Sequence, residues 1–157
     1  PILTQQEMSR LEADLIRQRG DQGEALMRQA GVEAAQVLLD EFGPAATEDA
    51  TLHIGIICGW GNNGGDGLVL ARSLSEQPGF RVTVFEVNPR RRSSSLAQKM
   101  RRELPPAIQV RALESARDLI DGFDTLDVLV DALFGVGLNR QIERFESELI
   151  DRINGLG

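Results

Sequence analysis

Apolar positions along this chain change their period near residue 50, separating a helical front from an alternating body. Residues 4–16 place Met8, Leu11 and Leu15 at helical spacing. A second helix is predicted over 22–41, with Leu26, Met27, Ala30, Ala34, Val37 and Leu38 on its apolar side. Core packing is the default for both stripes, and a partner surface is the alternative. Gly43-Pro44 then breaks the chain, and 45–50 reads as a loop. The run 52–58 is short, rich in Ile and bounded by Gly59, which predicts a buried strand. Further strands are predicted over 81–86, 107–110 and 126–131, and helices over 66–75, 94–103, 114–119 and 142–154. Repeated βα units of this length predict an α/β fold: a Rossmann-like, three-layer αβα parallel sheet behind two N-terminal helices. The expected strand order is 3-2-1-4.

Composition narrows the function classes. The chain has 157 residues, 41% hydrophobic and 26% charged, which describes one globular domain over 1–157. No apolar run approaches the roughly 18 residues that a membrane helix needs. Seventeen basic residues against twenty-four acidic ones give a net charge of −7, which argues against a general nucleic-acid binder. No secretory signal opens the chain, and its single cysteine, Cys58, sits in an apolar run. Both fit a reducing compartment, so a cytoplasmic location is expected. The dense basic run Arg90-Arg91-Arg92 precedes Ser93-Ser94-Ser95. It reads either as a solvated loop leading into a helix cap or as a clamp for a ligand phosphate.

The candidate chemistry lies in two loops. Residues 59–64 match GxGxxG between a strand and a helix, and Glu86 ends the next strand 22 residues after Gly64, where a dinucleotide fold places a ribose-binding acid. The loop continues Gly64-Gly65-Asp66-Gly67, which puts a carboxylate at the predicted helix start. Asp66 either caps that helix or shares the loop with a ligand. A phosphate 4 Å away would cost on the order of 4 kcal/mol at an effective dielectric of 20. Either the phosphate binds elsewhere along the loop or a cation neutralises the site. Asp131 ends the fourth predicted strand, so the loops 59–67 and 131–141 would meet at the topological switch point. The Asn63 amide oxygen and the Asp131 carboxylate are hard oxygen donors, suited to a group-one or group-two cation, although Asp131 equally suits a turn cap. Trp60 reads as a ligand stacker or as packing over the turn. His53 begins a strand away from the carboxyl edge, and Lys99 reads as a solvated charge.

The same two loops resemble the signature segments of the YjeF N-terminal domain family, whose enzymes are NAD(P)H-hydrate epimerases. The family pattern is close to CGxGNNGGDGLVxAR, and residues 58–72 read CGWGNNGGDGLVLAR. Its second segment is close to DxxVDALFGxGLxR, and residues 127–140 read DVLVDALFGVGLNR. Gln6-Glu7-Met8 and the stretch 26–31 are similar to the family's N-terminal helices. The resemblance implies that Asn62, Asn63, Gly64, Gly65 and Asp66 line a site for hydrated NADH or NADPH. Gly135, Val136, Gly137, Leu138, Asn139, Arg140 and Gln141 would complete it. It further implies that Asn63 and Asp131 ligate a potassium ion, and that the reaction interconverts the R and S hydrates at C6 of the nicotinamide ring. A dehydratase, fused or separate, would consume the S form.

Family members continue into a DxPSGxxxDTG-like segment, which carries a catalytic candidate and a further potassium ligand. This sequence stops at Gly157, so the domain is expected to be truncated, no catalytic residue is assigned, and little activity is expected of these residues alone. An edge strand left open would pair with another copy, so a homo-oligomer is expected. The rivals are an NAD-dependent dehydrogenase and a non-catalytic, RNA- or nucleotide-binding scaffold of the same fold. Asp66 and the absence of an obvious substrate domain count against the first, and the acidic loop residues with the negative charge against the second.

Overall fold

The computed structural model describes residues 4, 7, 22–47, 50–115, 118 and 123–155. Of the first predicted helix, Thr4 and Glu7 exchange capping-box hydrogen bonds, Glu7 N–H to Thr4 Oγ1 and Thr4 N–H to Glu7 Oε2. The rest of that prediction, including Met8, Leu11 and Leu15, lies outside the described residues, as do 116, 117 and 119 of the helix expected over 114–119.

The chain runs α1 (Gln22–Phe42), β1 (Leu52–Cys58), α2 (Asn62–Ser75), β2 (Phe80–Val87), α3 (Ser95–Arg102), β3 (Gln109–Leu113), β4 (Val128–Ala132) and α4 (Arg144–Asn154). The four strands form one parallel sheet in the order β3-β2-β1-β4, as the alternation predicts. β1 is central, pairing Ile57 with Phe85 on one side and Asp131 on the other. Strands buried on both faces read as continuous apolar runs, and β1 is buried from His53 to Cys58.

Alternate β1 side chains enter two cores. Ile54, Ile56 and Cys58 pack with Leu68, Leu74 and Met100 beneath α1, α2 and α3. Ile57 packs with Phe85, Leu113, Phe123 and Leu149 beneath α4. Each fully buried Ile or Leu contributes about 1.5–3 kcal/mol. Ser94 caps α3 by accepting from Ala97 N–H at 3.1 Å. α4 begins with a capping box between Glu143 and Glu146.

Three expectations shift. β3 starts two residues late, because Ile108 is buried by a turn in which its N–H reaches Pro105 O at 3.0 Å. β4 starts two residues late, because Asp127 spends its carboxylate on His53 N–H at 2.7 Å and guides β4 onto β1. The buried line of α1 is Met27, Gly31 and Ala35, four residues apart, whereas Leu26 and Val37 are 41% and 66% exposed. Composition cannot separate neighbouring apolar stripes on one helix. Packing against α2 can, because only a glycine at 31 admits Val69.

Candidate active site

The local fold of the glycine segment differs from the loop expected. Only Gly59 to Gly61 turn; α2 starts at Asn62 and takes in Asn62, Asn63, Gly64, Gly65 and Asp66. Gly61 is the N-cap, with no side-chain cap, so Asp66 does not cap the helix and lies one turn inside it. Glycine in a helix interior costs about 1 kcal/mol relative to alanine, which is why the string reads as a loop. Close approach offsets that cost. A Cβ on Gly64 would stand 1.9 Å from Gly59 O, one on Gly65 2.6 Å from the Met27 sulfur, and one on Gly67 2.7 Å from Ala132 Cβ.

The α2 N-terminus and the segment after β4 meet as their sequence positions require. Asn63 Nδ2 donates to Phe134 O at 3.1 Å, and Asn63 Cβ lies 3.3 Å from where a Gly135 Cβ would stand. Between them is a cleft of about 900 Å³. Asn62, Asn63 and Asp66 line one wall, and Gly135, Val136, Gly137, Leu138, Asn139 and Arg140 the other. Gly64 and Gly65 lie buried beneath it, and Gln141 flanks it, accepting from Arg140 Nη1 at 2.7 Å through its backbone.

Asp131 stands in β4 beside the cleft, outside its lining. Its Oδ1 accepts from Leu133 N–H at 2.8 Å, the turn-capping bond foreseen as its alternative role.

The cleft also holds side-chain contacts that its motifs do not specify. Trp60 and Phe134 meet edge to face at 6.2 Å, with Arg140 over both rings at 4.8 and 5.5 Å. Arg140 is anchored by two hydrogen bonds to Glu146, at 2.8 and 2.6 Å. Burial pushes the Glu146 carboxyl up, but the hydrogen bonds from Arg140 and from Glu143 N–H outweigh it and hold the group below its usual value. Glu146 is fully buried; on sequence it is one of many acids in an amphipathic helix, and only the fold reveals its role. Ser94 also lines the cleft, and the capping pattern was its only legible signal.

Other candidates take structural positions. His53 is buried, its Nε2 2.8 Å from Thr83 Oγ1. Lys99 pairs with Glu24 at 2.6 Å on the outer helical face. Of the basic run, Arg90 pairs with Glu114 at 3.1 Å, while Arg91 binds Glu143 and stacks over Trp60 at 4.8 Å.

Comparison with known proteins agrees with this arrangement. The family model for the YjeF-related protein N-terminus matches residues 23–156. The chain is 34% identical over 154 residues to the bifunctional NAD(P)H-hydrate repair enzyme Nnr of Thermofilum pendens, across 96% of this chain and 28% of that protein. It is 36% identical over 147 residues to the NAD(P)H-hydrate epimerase of Rhodobacter capsulatus, across 92% of this chain and 66% of that one. The chain thus spans under a third of the bifunctional relative and about two thirds of the other. The crystal structure of yeast ynu0 superposes with a TM-score of 0.80 at 23% identity, covering 98% of this chain and 64% of that one, a likeness of fold. Strand order, the packed glycines of α2, the facing loop after β4 and the match over residues 23–156 together make this chain a member of the YjeF-related N-terminal family.

Proposed function

We propose that this domain epimerises the R and S forms of hydrated NADH and NADPH, as the names of its relatives describe for them. The observation that carries the reading is the cleft itself. It sits at the switch point of a parallel sheet and is walled by the two segments that carry the family signatures. Amides from Asn62, Asn63 and Asn139 suit a carboxamide and ribose hydroxyls, and Trp60 with Phe134 supplies an apolar face for a ring. The reaction needs the C6–O bond to break as the ring nitrogen supplies electrons, a proton reaching the departing oxygen. Water then returns to the opposite face and gives the proton back. Asp66 is the one carboxylate among the described residues lining the cleft, and so the side chain there suited to exchanging that proton.

A potassium ion is part of the same proposal, with Asn63 and Asp131 as the residues that would hold it. Among the described residues Asn63 gives its amide nitrogen to Phe134 O, which leaves Oδ1 as an acceptor, and Asp131 accepts through Oδ1 alone. Bound there, the ion would offset the carboxylates against the substrate phosphates. Stability supplies a readout independent of activity. The melting temperature should rise in potassium relative to choline chloride, and Asn63→Ala with Asp131→Ala should remove that difference. An equal rise in the double variant rejects the site.

The wider setting is part of the same proposal. A buried lone cysteine suits a cytoplasmic protein, and among the described residues no helix is long and apolar enough to cross a membrane. β4 is a sheet edge among the described residues, a surface that a second copy would cover. A dehydratase is the natural partner, since it would consume the S form. Asp66 on the cleft wall and a net charge of −7 disfavour an RNA scaffold, and Glu86, tied to Arg101, disfavours an ordinary NAD dehydrogenase. The test is to incubate R-hydrate with the chain, and with any longer polypeptide its reading frame encodes, and follow the S form by chromatography. Conversion by the longer form that is lost in Asp66→Asn supports the reading. Ligand binding without conversion in both forms favours the binding module.

A further inference from the structure

A second hollow of about 420 Å³ lies across Trp60 from the cleft, at the carboxyl ends of β1 and β2. Trp60 lines both spaces. Their chemistry differs. The cleft presents three asparagine amides with Asp66 and Arg140, whereas the hollow collects Arg91, Arg92, Arg101 and Arg102 around Glu86, the one carboxylate lining it among the described residues. In a chain of net charge −7, four guanidiniums about one small space are a local concentration of cation.

In a doubly wound sheet the end of the second strand reads the adenosine ribose. An acid there accepts from a 2′-hydroxyl, and an arginine nearby accommodates a 2′-phosphate. Glu86 stands at that position, but its Oε1 is already taken by Arg101 Nε at 2.6 Å. That side-on bond fixes the guanidinium and leaves its two terminal nitrogens unbonded among the described residues. Arg92 and Arg102 are exposed and make no ion pair among the described residues. Arg91 is tied to Glu143 and stacked on Trp60. Asn88, at φ 47°, turns the chain after β2 and accepts Arg91 N–H at 2.8 Å, which brings the basic segment back over the hollow.

We propose that this hollow holds the adenylate end of the dinucleotide and selects the 2′-phosphorylated form, through Arg92, Arg102 and a guanidinium of Arg101 preset by Glu86. The inference rests on the nucleotide reading of the neighbouring cleft and deepens it from substrate class to cofactor form. Two oxygens of a 2′-phosphate dianion accept together from the planar fork of a guanidinium, whereas a 2′-hydroxyl offers the three cations no charge to pair with.

Calorimetric titration of the chain with adenosine 2′,5′-bisphosphate and with 5′-AMP tests it. The bisphosphate is expected to bind at least about tenfold tighter, the effect of one charge-assisted contact. R92A/R102A, both at exposed positions, should bring the ratio close to one without moving the melting temperature. Arg90→Ala removes a neighbouring cation that does not line the hollow and should leave the ratio unchanged. Equal affinities in the wild-type chain, a preference that survives R92A/R102A, or an equal loss in Arg90→Ala overturns the proposal. Bisphosphate selectivity without hydrate conversion would remove the epimerase reading and leave this site standing. Conversion of both hydrates without selectivity would do the reverse.

Discussion

His53, which the sequence sets away from the carboxyl edge, serves the fold through contacts with three neighbours. It lies between Thr83 Oγ1 at 2.8 Å and Thr125 O at 3.0 Å, with Arg81 Nη2 3.1 Å from Nδ1. Burial, and then the Arg81 cation, hold the imidazole below its ordinary 6.5. As pH falls, the unfolded chain therefore takes up a proton before the folded one does. Stability is full above about 6.5 and declines below it until the folded imidazole also protonates. Urea midpoints at pH 7.5 and 5.5 should differ more for the wild type than for His53→Gln; identical differences would refute the assignment. Arg140 carries a second residue-scale prediction. Arg140→Ala would strand the buried Glu146 carboxylate, and losing one partner of such a pair costs roughly 3 kcal/mol. Arg140→Lys would keep the charge, lose the bidentate fork and the contact over Trp60, and fall between. Chemical denaturation at neutral pH measures both, and an Arg140→Ala midpoint equal to the wild type would show that the pair is not needed.

The decisive element is α2, whose first turn is built from residues that disfavour helix. Its glycines are needed where backbones and neighbouring side chains touch. In Gly64→Ala the new methyl would meet the Gly59 carbonyl at 1.9 Å, with backbone on both sides and nothing flexible to yield. A loss of about 3 kcal/mol or more is expected, the upper end for overpacking. Gly61→Ala meets no atom within 4 Å and keeps an ordinary φ of −84°, so it should stay within about 1 kcal/mol of the wild type. Comparing thermal melts of the two variants tests the packing account, which fails if Gly64→Ala is as stable as Gly61→Ala. The strands, by contrast, were readable from their apolar runs. β1 matches its expectation residue for residue, because a strand buried on both faces reads as one nearly continuous apolar run, with His53 its one polar member. β3 and β4 sit at the sheet edges, where half-buried residues weaken the pattern.

At the scale of the whole molecule the two cores are joined through β1, and Cys58 reports on that junction. The thiol is 3% exposed, and burial, with the Glu86 carboxylate adding to it, pushes its pKa far up. Thiolate is the reactive form, so labelling by an aromatic disulfide at pH 8 should be slow and should track global opening. Labelling rates should rise with urea in parallel with the unfolding equilibrium. Labelling at the rate of a free thiol in native buffer would mean that the end of β1 opens locally.

The sequence by itself determined the parallel sheet, its order, the helical layers and the meeting of two loops at the switch point. These follow from periodicity and from the geometry of βα connections, which hold wherever apolar runs alternate with amphipathic ones. It also carried the family, because NNGGDG and DALFG are long, specific strings. Only the tertiary structure decided that the glycine run is helix, since the gain from close approach is absent until β4 and α1 are in place. Likewise, only the fold chose Met27 over Leu26, paired Glu86 with Arg101, and buried Glu146 beneath Arg140. Each is a contact between residues distant in sequence or in neighbouring elements, whose energy depends on a separation that no local pattern encodes.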